Sequence, residues 1–199
     1  MRLILVRHGE TQENVDDIMQ GQIPGHLTRK GINQAKKLGK RLSKEHFDII
    51  YSSDLLRCKD TLKEIRKYHP KTRVRYAKEL RERKFGVWEG RSHQEIDSHL
   101  AKRGIKWHDW KPSGGENSDQ MTNRIKRFLN KMVKEHPADS VLWVTHGGPI
   151  FKVLHRILLI PYDKMNKRKS VSENTAVSIV ELDTEGNHTV HLVNCVKHL

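Results

Sequence analysis

Met1-Arg-Leu-Ile-Leu-Val-Arg-His-Gly-Glu-Thr11 is the stretch from which the fold can be read. Leu3-Ile-Leu-Val6 is aliphatic without polar alternation, the pattern of a strand covered on both faces by helices. The run stops at Arg7-His8-Gly9, so a guanidinium, an imidazole and a residue without a Cβ stand where strand gives way to loop. In open α/β sheets, ligands bind outside the carboxyl ends of the strands. A basic surface turn is the other reading of the triplet, and only the rest of the chain separates the two.

Two further apolar runs end in the same way. Residues 48–51 lead into Ser52-Ser53-Asp54 with Arg57 close behind, and residues 141–145 lead into His146-Gly147-Gly148. Helical patterns lie between them. Thr28 is placed to cap a helix in which Ile32, Ala35, Leu38 and Leu42 recur at three- and four-residue steps. A second helix buries Leu55, Leu62 and Ile65 and stops near His69-Pro70. Residues 73–77 alternate as a strand. Met121, Ile125, Phe128, Met132 and Val133 mark a long helix, and a helix after Pro149 buries Ile150, Val153, Leu154, Ile157 and Leu158. Residues 176–182 and 189–194 flank a turn at Glu185-Gly186-Asn187 and read as a hairpin. Residues 79–90 show no period, and 91–117, with Trp107, Trp110, Pro112 and Gly114-Gly115, read as irregular or weakly helical. Strands alternating with helices predict an α/β sandwich with a mostly parallel central sheet, the hairpin adding antiparallel pairing.

The chain has 199 residues, 35% hydrophobic and 31% charged, which suits one well-buried core. One domain over residues 1–199 is expected, with 91–117 as an insert covering the pocket. No apolar run approaches the ~18 residues of a membrane span, and the N-terminal apolar run is too short for a secretory leader. Cys58 and Cys195 are far apart and lack metal-type spacing, which favours small buried residues in a reducing compartment. A cytoplasmic location is the expectation. The formal net charge is +14. Its basic residues are scattered, at Arg29-Lys30, Lys36-Lys37, 63–67 and 164–169, and few aromatics interleave with them. Nucleic acid is therefore not the expected partner.

Arg7-His8, Arg57 and His146 thus follow three different strands, and a parallel sheet would bring them to one edge. Two arginines and a second histidine around one histidine make a poor metal site, because cations repel a cation. They make a good site for a tetrahedral dianion, since the guanidinium fork matches phosphate oxygens. Neighbouring positive charge also keeps His8 neutral and nucleophilic. No Gly-x-x-x-x-Gly-Lys-Ser/Thr stretch is present, so a nucleotide P-loop is not the explanation.

Arg7-His8-Gly9-Glu10-Thr11 resembles the signature of the histidine phosphatase superfamily, the phosphoglycerate-mutase-like family. Ser52-Ser-Asp-Leu-Leu-Arg57 resembles its second block. Leu80-Arg-Glu82 with Phe85-Gly86 and Trp88-Glu-Gly90 resembles the block that supplies the acid, and Val144-Thr-His146-Gly-Gly resembles the last. Asn174-Thr175 and Asn194 look like the family's C-terminal pattern. The resemblance covers the whole chain in order. It implies the family's three-layer fold and a nucleophilic His8 that becomes phosphorylated. It further implies Glu82 as acid and then base, and Arg7, Arg57, Asn14 and His146 on the phosphoryl oxygens. Gln20, Gly21 and Gly147 are the expected pocket residues. The expected partner is a small-molecule phosphate monoester, with no metal and no cofactor, since the arginines supply the charge. Glu10, Glu79 and Glu89 read as structural or solvated, Trp88, Trp107 and Trp110 as packing or pocket cover, and Cys58 as buried filler.

The resemblance embraces phosphatases and mutases, and three departures favour the phosphatase. The segment after the acid block is short and holds Arg103 where mutases carry paired arginines. Phe85 stands where they usually have tyrosine, and Gly148 where they tend to have asparagine. Phosphoglycerate mutase is the alternative activity. A nucleic-acid-binding or phosphoprotein-binding module is a more distant one, opposed by the presence of Glu82.

Overall fold

The computed structural model describes residues 1–159 and 172–199. The basic run at 164–169 lies outside the described residues. Six strands form one sheet: β1 (Arg2–Arg7), β2 (Ile49–Ser52), β3 (Arg73–Tyr76), β4 (Ser140–Thr145), β5 (Val177–Leu182) and β6 (His188–Cys195). Their spatial order is β3-β2-β4-β1-β5-β6. The first four run parallel, while β5 is antiparallel to both β1 and β6. The helices are α1 (Gln12–Val15), α2 (Arg29–Leu42), α3 (Leu56–Arg66), α4 (His93–Arg103), α5 (Ser118–Glu135) and α6 (Gly147–Phe151). The last runs on into a wider, π-type stretch, Lys152–Ile157.

The uninterrupted apolar run of β1 is explained by its two neighbours. Leu3 and Leu5 face one core with Trp143 of β4, Ile125 and Met132 of α5, and Ile150 and Leu154. Ile4 and Val6 face the other, with Leu142 and Val144 of β4, Leu38 and Leu42 of α2, and Leu62 and Ile65 of α3. Successive strand residues point to opposite faces, so only a sheet sandwiched between helix layers can bury all four. The architecture is a mixed α/β sandwich with a mostly parallel central sheet.

Two expectations need correction. Ile32 is 40% exposed, whereas α2 buries Gly31 and Gly39 along with Ala35, Leu38 and Leu42. The glycines are there for close approach: a Cβ on Gly31 would lie 2.1 Å from the Glu10 carbonyl oxygen, and one on Gly9 would lie 2.5 Å from that of Gly31. The start of α2 thereby clamps the loop that carries His8. Secondly, 91–117 contains a regular helix, α4. Ser92 and Glu95 form a reciprocal capping box at its start and Gly104 closes it in the left-handed conformation. Such a cap is worth about 1 kcal/mol, which helps a helix that buries only Ile96 and Leu100.

Candidate active site

Strand register sets the site. Arg7 pairs with Thr145 at the ends of β1 and β4, and Ser52 pairs with Val144 at the end of β2. His8 and His146 each come one residue later, and their ring centroids stand 5.1 Å apart. Arg57, in the first turn of α3, is fully buried and its Nε donates to His146 Nδ1 at 3.1 Å. Sheet geometry thus brings together side chains separated by 49 and 89 positions in the chain.

Hydrogen bonds define both imidazole tautomers. His8 Nδ1 lies 2.7 Å from the Gly9 carbonyl oxygen, which can only accept, so Nδ1 carries the proton and Nε2 the lone pair. His146 accepts at Nδ1 from Arg57, so its proton is on Nε2, 2.8 Å from Ser53 Oγ. Burial, then Arg57, then Arg7 hold the His8 pKa well below the ordinary imidazole value. Burial and Arg57 do the same for His146. Both rings are neutral at neutral pH.

The two arginines differ in how they are held. Arg57 also donates to the carbonyls of Gly21 (2.7 Å) and Ile23 (3.3 Å), which leaves two of its five N–H groups. Arg7 donates to the Ser172 carbonyl through Nη1, and its buried Nε has no partner among the described residues. Burial lowers the Arg7 pKa to about 10, so it remains a cation at neutral pH. Asn14 presents an amide of defined orientation. Its Oδ1 accepts from the Thr11 backbone (3.3 Å) and from Asn174 Nδ2 (3.1 Å), leaving Nδ2 as the free donor. Gln20 is buried, and its Nε2 likewise has no partner.

Glu82 approaches from the third side. Its Oε1 accepts from the Arg83 backbone (2.8 Å) and its Oε2 from the Gly148 backbone (3.0 Å). The segment carrying it is anchored at three points. Thr145 Oγ1 donates to the Leu80 carbonyl, Arg81 makes a two-bond pair with Asp54, and Arg124 of α5 donates to the Glu79 and Arg81 carbonyls. Glu89 accepts from the Gln22 and Phe85 backbones and Glu10 from Thr28 and Lys30, so both tie loops together.

These groups surround a cavity of about 850 Å³. Arg7, His8, Asn14, Gln20, Gly21, Arg57 and Glu82 line it; His146 and Gly147 lie behind its wall, His146 between Arg57 and His8. Arg103 is elsewhere, on an outer groove over α4 and hydrogen-bonded to His99. Phe85, Trp107 and Phe151 also line the cavity, and Trp88 and Trp110 pack behind Phe85 and Trp107. Cys58 is buried against His146, and desolvation pushes its thiol up to about 12, which leaves it inert. Among the described residues no group of His, Cys, Asp or Glu is arranged to hold a metal ion, and no helix is long and apolar enough to cross a membrane.

Among the cavity residues that sequence reasoning did not assign to the site are Arg83, Gly148, Lys152 and Asn174. Lys152 had a signal, being the one charge inside Ile150-Phe-Lys-Val-Leu154. Gly148 had one in its place beside His146. Asn174 is brought to Asn14 from 160 positions away, and nothing local announces that.

The chain is similar to several known proteins. Adenosylcobalamin/alpha-ribazole phosphatase of Escherichia coli is 32% identical over 169 residues, covering 83% of both chains. Metal-independent phosphoserine phosphatase of Arabidopsis thaliana is 35% identical over 161 residues, covering 78% of this chain and 68% of that one. The solved structure of YhfR from Bacillus stearothermophilus superposes with a TM-score of 0.85 at 31% identity, covering 99% and 98% of the two chains. The family model of the histidine phosphatase superfamily (branch 1) matches residues 3–195, and the chain belongs to that family.

Proposed function

We propose that the protein is a metal-independent phosphatase that hydrolyses small phosphate monoesters through a phosphohistidine on His8. The observation that carries this reading is the His8 tautomer: an unprotonated Nε2 in a buried, doubly cationic cradle, with the Glu82 carboxyl group lining the same cavity. Arg7, the remaining N–H groups of Arg57 and the Asn14 amide hold the equatorial oxygens while Nε2 attacks phosphorus in line. His146 orients Arg57, and the arriving dianion offsets the positive charge that, after burial, keeps its ring neutral. Glu82 delivers a proton to the departing alkoxide, then takes one from the water that opens the phosphohistidine. Positioning and charge stabilisation are most of what phosphoryl transfer asks of a protein. One domain performs all of this, with the expected cover at 91–117 extended back to Lys84 because Phe85 lines the cavity along with Trp107.

The mutase reading is opposed by the placement of Arg103 on the outer groove and by Phe85 on the cavity wall.

Rapid-quench trapping with an aryl phosphate tests the scheme. Glu82→Gln should give a burst and accumulate label on His8, because an aryl oxide leaves without acid help while the second step lacks its base. His8→Ala should form no phosphoenzyme, and wild-type rates should survive excess chelator. Label on another residue, or loss of activity on chelation with recovery on adding a divalent ion, would overturn it.

A further inference from the structure

Lys152 is a buried lysine that this scheme does not use. It is 7% exposed, lines the cavity, and its Nζ donates to Ser118 Oγ. Among the described residues its opposite charges, Asp119 and Glu82, act on it through space, and its one hydrogen bond goes to a neutral hydroxyl. Burial lowers its pKa to about 8, with Arg156 and Arg83 adding to the effect, so most of it is charged at neutral pH. A buried ammonium without a carboxylate in direct contact is costly. Arg83, the other cation on this wall, is already engaged: its three nitrogens donate to the carbonyls of Glu116, Trp107 and Trp110. Lys152 has two N–H groups left.

Its position relative to the chemistry follows from the helix. Gly148, whose N–H holds Glu82, is four residues earlier on the same segment, so Lys152 sits one turn further along the same face. Residues so spaced have Cβ positions about 5–6 Å apart. An in-line displacement puts the leaving oxygen at Glu82, on the side opposite His8. The rest of the alcohol therefore runs on toward Lys152.

We infer that Lys152 forms a second anion subsite, and that the preferred substrates are phosphate monoesters whose alcohol carries its own anionic group, a carboxylate or a second phosphate, a few bonds from the ester oxygen. This rests on the phosphatase reading for the direction in which the alcohol lies.

One three-carbon series tests it: the monophosphate of propane-1,3-diol, its bisphosphate, and 3-phosphonooxypropanoate. The wild type should favour at least one anionic-ended ester over the hydroxyl-ended one by about tenfold in kcat/KM, as a charge-assisted hydrogen bond allows. Which of the two gains tells carboxylate from phosphate. In Lys152→Met the ratio should fall to within about threefold of unity, and Lys152→Gln repeats the test should the methionine variant fold poorly. Calorimetric affinities of the same esters for His8→Asn enzyme give the ratio without turnover. Inactivity of the wild type toward p-nitrophenyl phosphate would therefore sink the phosphatase reading alone. Equal affinities and rates across the series in the wild type, or a preference that survives in both Lys152 variants, would overturn the subsite.

Discussion

The phosphate cradle and the cover above it are built on opposite principles. Arg7, His8, Arg57 and His146 follow strands whose register is set by continuous backbone pairing, and each side chain is tied to a neighbour or a carbonyl. The cover, residues 84–117, pairs with no strand of the sheet. It is held by an aromatic cluster around Phe85 and Trp110, by Glu116 on Arg124, and by Arg83 reaching three of its carbonyls. A phosphoryl group is the same in every substrate and can be met by a rigid, over-determined surface. The alcohol varies, and on the proposed reading it is met by the cover, which is tied in by side chains and loops rather than by strand pairing. Local stability differs across a fold in this way, with binding loops at the low end.

Removing Arg57 should have the largest effect. Arg57→Ala takes away a phosphate donor, the partner of His146 Nδ1 and the anchor of the Gly21 loop together. We expect a loss of about 10³ in kcat, the upper range for one such donor, measured by steady-state hydrolysis of an aryl phosphate. A loss below tenfold would mean that the cradle is less tightly specified than its hydrogen bonds indicate.

Gly148 is the seam between the two regions. A Cβ there would lie 2.1 Å from Glu82 Oε1, so the acid must move to make room. Gly148→Ala should lower kcat about 10- to 100-fold on alkyl esters, the scale of a displaced acid–base group. Aryl esters need less protonation of the leaving group and should lose less in the first step. Equal losses on both in single-turnover rates would show that Gly148 serves something other than Glu82.

Arg83→Met probes the cover alone. Losing its carbonyl tethers should raise KM about fivefold and speed proteolytic cutting between residues 104 and 117. Cutting at the wild-type rate would show that the aromatic cluster suffices to hold the cover.

The smallest effect concerns pH. His8 and His146 are held well below their ordinary value in the fold, and unfolding returns both to about 6.5. Below that pH the unfolded chain binds more protons than the folded one. Stability should thus be undiminished above about 6.5 and fall as the pH drops below it. Urea melts from pH 7.5 to 5 should show this slope, and it should be shallower in His8→Asn. Identical slopes would mean that the cradle does not hold its imidazole neutral.

The same contrast decides how much was legible beforehand. His8, Arg57 and His146 stood out because each follows an apolar run or a helix start, and Glu82 because it sits in a block that resembles a known one. The cover stood out as a segment, at 91–117, but its internal structure did not. The α4 helix has only two buried apolar residues, too few for periodicity to reveal, although Ser92-His-Gln-Glu95 is a capping-box pattern that could have disclosed it. Ile32 misled because its spacing fits the core face of α2, whereas close approach reserves that face for glycine, Gly31 against the His8 loop and Gly39 against the Glu64 carbonyl of α3.

By itself, the sequence determined the strands, the main helices and the chemistry at the strand ends, because hydrophobic periodicity and residue type are local properties. Tertiary structure alone decided that β5 lies antiparallel beside β1, that Asn174 therefore turns the Asn14 amide, and that both imidazole tautomers are defined. It alone placed Lys152 in the cavity with a hydroxyl, Ser118, as its hydrogen-bond partner. Those facts depend on hydrogen bonds and charge between residues far apart in the chain, and only the packed sheet brings them within reach.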